Sequence, residues 1–287
     1  MGMLQPSAQM DQSILLVGGE LCQRVAATLH AGGWQVWHLR RRPSAAPGVL
    51  GIQADLSAPH TLRGVLPQVS HILFAPSPDQ RTAACYQATY PAGLQNLLAA
   101  LPCRQDLQRV LLVGSTVVWP EAGIESAASW VDERTPTLAN EFRSHALLMA
   151  EAWLQQHLPQ QAVTLRLGGI YGPGRTRLLD SLRHQRLLAP EGPGHWSNRI
   201  HIEDAAAACV HLLQITQPQP CYIGTDGNPA EKAAFYDQLA DLLRVPRPAR
   251  TPMPPTGKRL SNARLLESGW RPRWPDAVAA YRALLQV

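Results

Sequence analysis

Short apolar runs alternate with segments of helical periodicity between residues 13 and 167 of the chain. The runs are bounded by turn residues, as buried strands are, and the segments between them repeat apolar residues every three to four positions. Strands that alternate with helices predict an α/β fold with a doubly wound parallel sheet that is covered by helices on both faces. The pattern predicts strands at residues 13–17, 35–39, 49–54, 71–75, 109–113 and 163–167.

The pattern changes after residue 172, where proline and arginine become more frequent and the apolar runs shorten. We therefore predict a doubly wound domain at 13–172 and a smaller C-terminal portion at 173–287, after a loose leader at 1–12. The smaller portion should pack against the C-terminal edge of the sheet, where ligands of such folds bind. The predicted helices after the first are 82–101, 140–157, 204–215, 231–243 and 278–285, and two short strands are predicted at 199–202 and 221–223.

The first predicted strand ends in Gly18-Gly19 and is followed by a helix and a second strand. In a βαβ unit of this kind, the first turn aims backbone N–H groups and a helix dipole at a phosphate. The expected G-x-G-x-x-G fingerprint is damaged, because Glu20 follows two adjacent glycines and Cys22 stands near the place of the last glycine. A phosphate-binding turn and a strand–helix turn without a ligand both fit this stretch.

The second predicted strand is followed by three consecutive arginines, Arg40, Arg41 and Arg42. An NAD site carries an acidic residue at this place to hold the ribose 2′-OH, whereas an arginine suits the 2′-phosphate of NADP. No acidic residue is present, and a guanidinium matches phosphate oxygens bidentately. If a dinucleotide binds, we predict NADP rather than NAD, although NAD would still fit; a solvated basic loop is the alternative.

Composition narrows the classes of partner. The 287 residues carry a formal charge of +5 with a pI near 9.2, which favours a small anionic ligand. Scattered basic residues and sparse aromatics argue against nucleic acid. The five cysteines form no C-x-x-C pair, and the chain shows neither a signal peptide nor an apolar run of membrane-spanning length, so we expect a cytoplasmic protein with no membrane partner. The stretch from His201 to Asp204 lacks a second ligand cluster, and no metal site is predicted.

Five segments, in order along the chain, resemble the extended short-chain dehydrogenases/reductases of the NAD-dependent epimerase/dehydratase type. They are GSTVVW at 114–119, WVDE at 130–133, LRLGGIYGPGR at 165–175, NRIHIEDAAAACVHLL at 198–213 and GKRLSNARLLESGWRPRW at 257–274. The resemblance implies a Rossmann-like dinucleotide-binding domain at 13–172 and a C-terminal portion that binds a nucleotide-sugar or similar carbonyl or hydroxyl substrate.

The resemblance also implies roles for individual residues. It sets Gly18 and Gly19 at the pyrophosphate, Asp55 and Leu56 at the adenine, and Ser115 at the catalytic hydroxyl. Gly168 to Tyr171 would follow the strand that touches the nicotinamide, and Pro76 follows another strand at the same edge. Basic residues similarly placed in the family hold substrate phosphates, which nominates Arg199, Lys258 and Arg259; solvated charges are the alternative.

The sequence departs from the family at the Tyr-x-x-x-Lys pair that transfers the proton. Glu151 anchors the alignment and sets Arg143 at the tyrosine position and Leu147 at the lysine position. An unperturbed tyrosine has a pKa near 10 and needs such help to act near neutral pH. The candidates that remain for acid–base or electrophilic roles are Ser115, Thr116, Arg143, His145 and Tyr171.

Three explanations for the missing pair stay open. The protein is an enzyme with atypical acid–base residues, a non-catalytic NADP(H)-binding sensor or partner-binding protein, or a fold whose binding site has decayed. In the family, the helices after the fourth and fifth strands form a four-helix bundle across a two-fold axis. Here these are residues 82–101 and 140–157, whose apolar side chains lie on more than one face, and we expect a homodimer.

Overall fold

Seven parallel strands form the central sheet of the computed structural model, which describes residues 12–42, 46–120, 130–254 and 256–286. Their order is β12-β7-β5-β4-β1-β2-β3, with each neighbouring pair parallel. The α/β doubly wound prediction is therefore confirmed. The sheet strands are β1 Ser13–Gly18, β2 Gln35–Arg40, β3 Val49–Gln53, β4 His71–Ala75, β5 Arg109–Ser115, β7 Ala162–Leu167 and β12 Cys221–Gly224.

Helices cover both faces of this sheet, and short strand pairs lie outside it. The helices of the described residues are α1 Glu20–Ala31, α2 Ala83–Thr89, α3 Pro91–Ala100, α4 Phe142–His157, α5 Arg177–Arg183, α6 Ile202–Gln214, α7 Lys232–Leu243, α8 Ala263–Glu267 and α9 Ala277–Leu285. The short strands are β6 Trp130–Val131, β8 Gly169–Tyr171, β9 Ala189–Pro190, β10 Trp196–Ser197, β11 Arg199–His201, β13 Ala230–Glu231, β14 Arg250–Thr251 and β15 Arg259–Leu260. Single-turn 3₁₀ helices occur at Pro59–Thr61 and Thr116–Val118.

Strand β1 lies inside the sheet, between β4 and β2, and is buried on both faces. Ile14 and Leu16 point to the layer that contains α1 and α6, and Leu15 and Val17 point to the layer that contains α3 and α4. This alternation follows from the two-residue period of a strand, and a parallel sheet buries both sets. An unbroken apolar run therefore specifies β1, as the sequence pattern indicated.

The helix predicted at 82–101 is wrong as a single element. Pro91 lacks the N–H that an interior helical position needs, so α2 ends at Thr89 and α3 begins at Pro91 itself, the position where proline is tolerated. Thr82 caps the first of the two helices, since its hydroxyl accepts a hydrogen bond of 3.3 Å from the Cys85 N–H.

Residues on both sides of the boundary predicted at residue 172 contribute to the central sheet and to one of its helical layers. Strand β12 pairs with β7 as an outer strand of the sheet, and α6 packs with α1 in the same core layer. The remaining C-terminal elements have a core of their own, built on Leu179, Phe235 and Tyr281 among others. The second part of the chain thus completes the sheet before it forms its own cluster. The predicted leader at 1–12 lies outside the described residues except for residue 12.

The residues that the structure describes contain neither a membrane-spanning helix nor a cluster of metal ligands. None of their helices is long and apolar enough to cross a bilayer. No group of three or more histidine, cysteine or acidic side chains among them is arranged to hold a metal ion. All five cysteines are free thiols.

Because several histidines are buried, we predict that the folded protein loses stability in mild acid. Burial, reinforced by the charge of Arg109, lowers the pKa of His71 from 6.5 to about 4. The unfolded chain therefore binds a proton between these two values that the folded chain does not. For His71 alone, the free energy of unfolding should fall by about 2 kcal/mol between pH 7 and pH 5. Burial also lowers the pKa values of His38, His201 and His211, which adds to the loss.

Denaturant titrations at the two pH values measure this effect. His71→Gln should flatten the dependence of stability on pH, whereas His60→Gln, at an exposed position, should leave it unchanged. A pH dependence that is the same in His71→Gln and in the unmutated protein would contradict the assignment.

Candidate functional site

Gly18 makes the turn from β1 into α1, with a φ of 151° that side chains rarely adopt. A Cβ at this position would lie 2.2 Å from the carbonyl oxygen of Ala75, at the end of the neighbouring strand β4. At Gly19, by contrast, a Cβ would meet no atom within 4 Å. The turn is therefore packed on one side and open on the other, where the N-terminus of α1 faces the sheet edge.

The buried side chains of His38 and Cys22 contact this turn on the side that faces the core. The Nε2 atom of His38, on β2, lies 2.9 Å from the Gly18 carbonyl oxygen. Cys22 is fully buried under the turn, with its Sγ 3.0 Å from the place of a Gly18 Cβ. Burial raises the pKa of the Cys22 thiol to about 12, so the thiol stays neutral and serves as packing. The turn is therefore tight at Gly18 and open at Gly19, and the residue near the place of the third glycine fills space in the core.

A cleft of about 520 Å³ opens above the turn, at the C-terminal ends of the first four sheet strands. Its walls come from the segments that follow β1, β2, β3 and β4. The structure brings together here the predicted residues Gly18, Gly19, Arg40, Arg41, Asp55, Leu56 and Pro76. Because these residues converge from four separate strands, the strand-end rule accounts for their meeting.

The wall that follows β3 is held by local hydrogen bonds. The Asp55 carboxylate accepts a hydrogen bond of 2.9 Å from the Ser57 N–H and another of 2.7 Å from its hydroxyl. Asn96, on α3, donates a hydrogen bond of 2.8 Å to the Leu56 carbonyl. These hydrogen bonds hold the segment in place at the wall of the cleft.

Across the cleft, Arg41 forms a two-pronged ion pair with Asp79, in which each terminal nitrogen donates to a different carboxylate oxygen. Arg41 follows β2 and Asp79 follows β4, so the pair spans the end of β1, which lies between these strands. Sequence reasoning missed Asp79. The signal was available, since the strand-end rule sets both residues on one edge of the sheet.

An acidic side chain stands in the first turn of α1, where a bound phosphate would add more negative charge. Glu20 contacts Arg24 at 3.1 Å and Arg175 at 3.2 Å, and Arg24 also pairs with Glu203. The two arginines offset the charge of Glu20. With an open Gly19, a helix of twelve residues behind it and nearby guanidinium groups, the turn fits a pyrophosphate.

Ser115 and Gly168 lie at the same edge of the sheet as the cleft, but at the ends of β5 and β7, which do not line it. Ser115 ends β5 and pairs in register with Leu167 of β7, the residue before Gly168. The Ser115 Oγ accepts a weak hydrogen bond of 3.3 Å from the Val117 N–H, and Thr116 begins the short helix that follows. Gly168 is tightly packed, since a Cβ there would lie 3.0 Å from the Asn198 carbonyl oxygen.

Helix α4 carries the residues that stand at the positions of the missing pair. Arg143 is partly exposed in its first turn and contacts the Glu141 carboxylate at 2.7 Å. Leu147, one turn on, is buried among Val118, Trp119 and other apolar side chains. Leu147 itself carries no ammonium group that could lower the pKa of a neighbouring acid. His145, another candidate, is exposed.

Tyr171 lies in the C-terminal core and not at the cleft. Its ring stacks on Tyr281 at 4.9 Å, and its hydroxyl is buried without a hydrogen-bond partner among the described residues. Burial is the main cause that raises the pKa of Tyr171 far above 10, and the carboxylates of Asp226 and Asp204 add to it. These surroundings disfavour the proton transfer for which we nominated this residue, and its role in the structure is packing.

The three nominated basic residues have different surroundings. Lys258 is buried, and its ammonium donates a hydrogen bond of 2.6 Å to the Trp119 carbonyl. The Arg199 guanidinium lies 4.3 Å from the ring centre of Phe235, within the C-terminal cluster. The Arg259 guanidinium lies 5.0 Å from the ring centre of Trp196 and 5.5 Å from that of the exposed Trp130. Of the three, Arg259 is the one beside an exposed aromatic surface that a ligand ring could reach.

Comparisons with known proteins agree with this architecture. The chain is 34% identical to an NAD-dependent epimerase/dehydratase-type protein of Methylobacillus flagellatus, over 97% of this chain and 98% of that one, with a TM-score of 0.78. The human epimerase family protein SDR39U1, solved with NADPH, shares the fold with a TM-score of 0.77 at 18% identity, over 96% of this chain and 99% of that one.

Among curated proteins, protein YeeZ of Escherichia coli is 31% identical over 175 residues. The match covers 59% of this chain and spans 60% of the length of YeeZ. No protein-family model matches the chain.

The resemblance that five short segments suggested is therefore borne out along the whole chain. The sheet order, the glycine turn and the cleft agree with it, and the identity to the Methylobacillus protein extends over nearly the full length of both chains. The chain belongs to the NAD-dependent epimerase/dehydratase family.

Proposed function

We propose that the protein binds NADP(H) in the cleft above Gly18 and acts on a small anionic carbonyl or hydroxyl compound, such as a nucleotide sugar. The observation that carries the proposal is the meeting of Arg40 and Arg41 with the open glycine turn in one cleft. The segment after β2 offers two guanidiniums and no carboxylate, which favours a 2′-phosphate over a ribose hydroxyl. NAD would bind the same turn more weakly.

Each wall of the cleft has a part in this proposal. The Gly19 side of the turn and the N-terminus of α1 would hold the pyrophosphate, and Arg40 and Arg41 the 2′-phosphate. Asp55, Leu56 and Pro76 would enclose the adenine. When bound, the nicotinamide supplies the hydride acceptor or donor, and the chain supplies orientation and charge at the edge near Ser115.

Replacing Arg40 and Arg41 together by alanine should remove the preference for NADP(H). Hydrogen bonds to charged groups contribute about 1.5–3 kcal/mol each, so the preference should fall by roughly tenfold or more. Titration of tryptophan fluorescence with NADPH and NADH measures both affinities. Arg63→Ala is the control, because Arg63 is an exposed arginine that does not line the cleft. Equal affinities for the two cofactors in the unmutated protein would contradict the proposal.

The chemistry that these residues can support is limited. The Ser115 hydroxyl can donate a hydrogen bond to a reacting oxygen, and Arg143 can act as an electrophile or as an anchor for an anionic substrate. Neither replaces a tyrosine and a lysine as a proton-transfer pair. General acid–base catalysis typically contributes about 10²- to 10⁴-fold, so turnover of UDP- or dTDP-sugars should be very weak or absent.

The buried Leu147 supports a second candidate, a non-catalytic NADP(H)-binding protein. An apolar side chain packed against Val118 and Trp119 contributes to the core but has no chemical role in proton transfer. The two candidates differ in turnover. A catalytic protein oxidises bound NADPH in the presence of a suitable carbonyl compound, and a sensor or partner-binding protein does not.

If turnover occurs, Ser115→Ala should lower kcat and leave the affinity for NADPH nearly unchanged, because the hydroxyl lies away from the adenosine cleft. NADPH oxidation at 340 nm with a panel of carbonyl compounds measures kcat. Arg143→Ala tests the guanidinium. Its control is Arg134→Ala, since Arg134 also pairs with a carboxylate two residues earlier, that of Asp132. Brisk conversion of a nucleotide sugar that does not depend on Ser115 would show that the active site lies elsewhere.

We also propose a homodimer in which α4 contributes to the interface. Phe142 and Met149 lie seven residues apart on this helix, hence on one face, and are 37% and 40% exposed. Light scattering at micromolar concentration should give twice the mass of the chain, and Met149→Glu should shift the protein towards the monomer because it introduces a charge into an apolar contact. A monomeric unmutated protein would contradict the proposal.

A further inference from the structure

The ion pair between Arg41 and Asp79 uses the same atoms that a phosphate would use. Each terminal nitrogen of the guanidinium donates to a different oxygen of the carboxylate. Arginine binds phosphate oxygens with the same two-pronged geometry. A carboxylate and a phosphate therefore compete for one guanidinium face at the mouth of the cleft.

The position of the pair makes this competition relevant to the cofactor. Both residues line the cleft, one from the segment after β2 and one from the segment after β4. The pair crosses the end of β1, so it lies above the turn at Gly18 and Gly19. A nucleotide that enters this cleft with a phosphate on its ribose brings that phosphate to a guanidinium that already holds an anion.

The strength of the ion pair decides whether the Asp79 carboxylate keeps a phosphate away from Arg41 or is replaced by it. Each of the two side chains is 55% exposed, and ion pairs at this exposure contribute little because water and salt screen them. A phosphate monoester carries close to two negative charges at neutral pH, against one on the carboxylate. Exchange is therefore favoured, with Asp79 weakening the binding of the phosphate and not preventing it.

The surroundings also accommodate Asp79 after such an exchange. Its hydrogen bond with Arg41 is the main cause that lowers the pKa of Asp79, and the charge of Arg42 lowers it further. The carboxylate is thus ionised in the neutral pH range and has a second positive neighbour outside the cleft. It can turn towards solvent and Arg42 without losing all compensation of its charge.

We propose that Asp79 competes with the 2′-phosphate of NADP(H) for Arg41 and thereby sets how strongly the cleft selects NADP(H) over NAD(H). The inference rests on the proposed function, because it assumes that the cleft binds the adenosine half of such a cofactor. With NAD(H), the pair between Arg41 and Asp79 persists. With NADP(H), the phosphate replaces the carboxylate on Arg41, and part of the gain in binding is offset by the lost pair.

The adenosine half alone provides the cleanest probe of this competition. Calorimetric titration of the full chain with 2′,5′-ADP and with 5′-AMP isolates the contribution of the 2′-phosphate from the nicotinamide and from any turnover. Asp79→Asn keeps the size of the side chain and removes its charge. It should tighten the binding of 2′,5′-ADP about three- to tenfold and leave the affinity for 5′-AMP unchanged.

A remote pair of the same kind serves as the control. Arg247 and Asp241 form a two-pronged ion pair of similar exposure outside the cleft. Asp241→Asn should change neither affinity. In the background of Arg41→Ala, the gain from Asp79→Asn should shrink, because the guanidinium for which the two anions compete is gone.

Three results would overturn the inference. If Asp79→Asn leaves the affinity for 2′,5′-ADP unchanged or weakens it, Asp79 does not compete for Arg41. If the affinity for 5′-AMP falls while that for 2′,5′-ADP holds, Asp79 instead accepts a hydrogen bond from a ribose hydroxyl. If the unmutated protein binds neither probe nor NADPH, the proposed function fails as well, which distinguishes that failure from the first two.

Discussion

The absence of a side chain at Gly18 is the constraint on which the ligand edge of this molecule depends. A Cβ there would overlap the Ala75 carbonyl oxygen at 2.2 Å, so the chain can pass over the end of β4 only as glycine. Because β1 lies between β4 and β2, this crossing sets the N-terminus of α1 at the centre of the sheet edge. His38 then holds the Gly18 carbonyl from the other neighbouring strand. Three strands thus determine one turn, and the cleft is built around it.

The same constraint explains how a damaged glycine fingerprint retains its geometry. The glycines of the fingerprint serve different purposes, which are the tight turn, the approach of the phosphate and the close packing of helix on strand. Gly18 and Gly19 retain the first two. Cys22 takes part in the third with a small, neutral side chain that is fully buried below the turn. The order of the residues differs from the fingerprint, while Gly18 keeps the tight turn and Gly19 keeps an open side.

Sequence reasoning anticipated what depends on local pattern and missed what depends on tertiary contact. The strands that build the cleft were predictable, since each is an apolar run that ends in turn residues. The break at Pro91 was visible in the sequence and was overlooked. The pairing of β12 with β7 was not predictable, because a strand of four residues carries no record of its neighbour. The burial of Lys258 and Tyr171 was equally hidden, since their sequence neighbours do not show that Trp119 and Tyr281 receive them. For Asp79, the strand end at which it lies was predictable from the sequence, whereas its ion pair with Arg41 was not predicted.

Helix α4 is closely packed where the sequence comparison predicts that the family's proton-transfer pair is missing. Leu147 and Glu151 lie one turn apart on one face of the helix, which points towards β5 and β7. Leu147 fills an apolar cluster with Trp119, and Glu151 forms a buried ion pair with Arg166 at 2.7 Å. The Arg166 guanidinium in turn lies 4.7 Å from the ring centre of Trp119. A buried charge left without its partner would destabilise the fold by about 3–5 kcal/mol, so this face is fixed by strong constraints. An eroding site would leave cavities and unpaired charges along such a face. Here the described residues of α4 form a packed and charge-compensated face, which is not what we would expect of an eroding site.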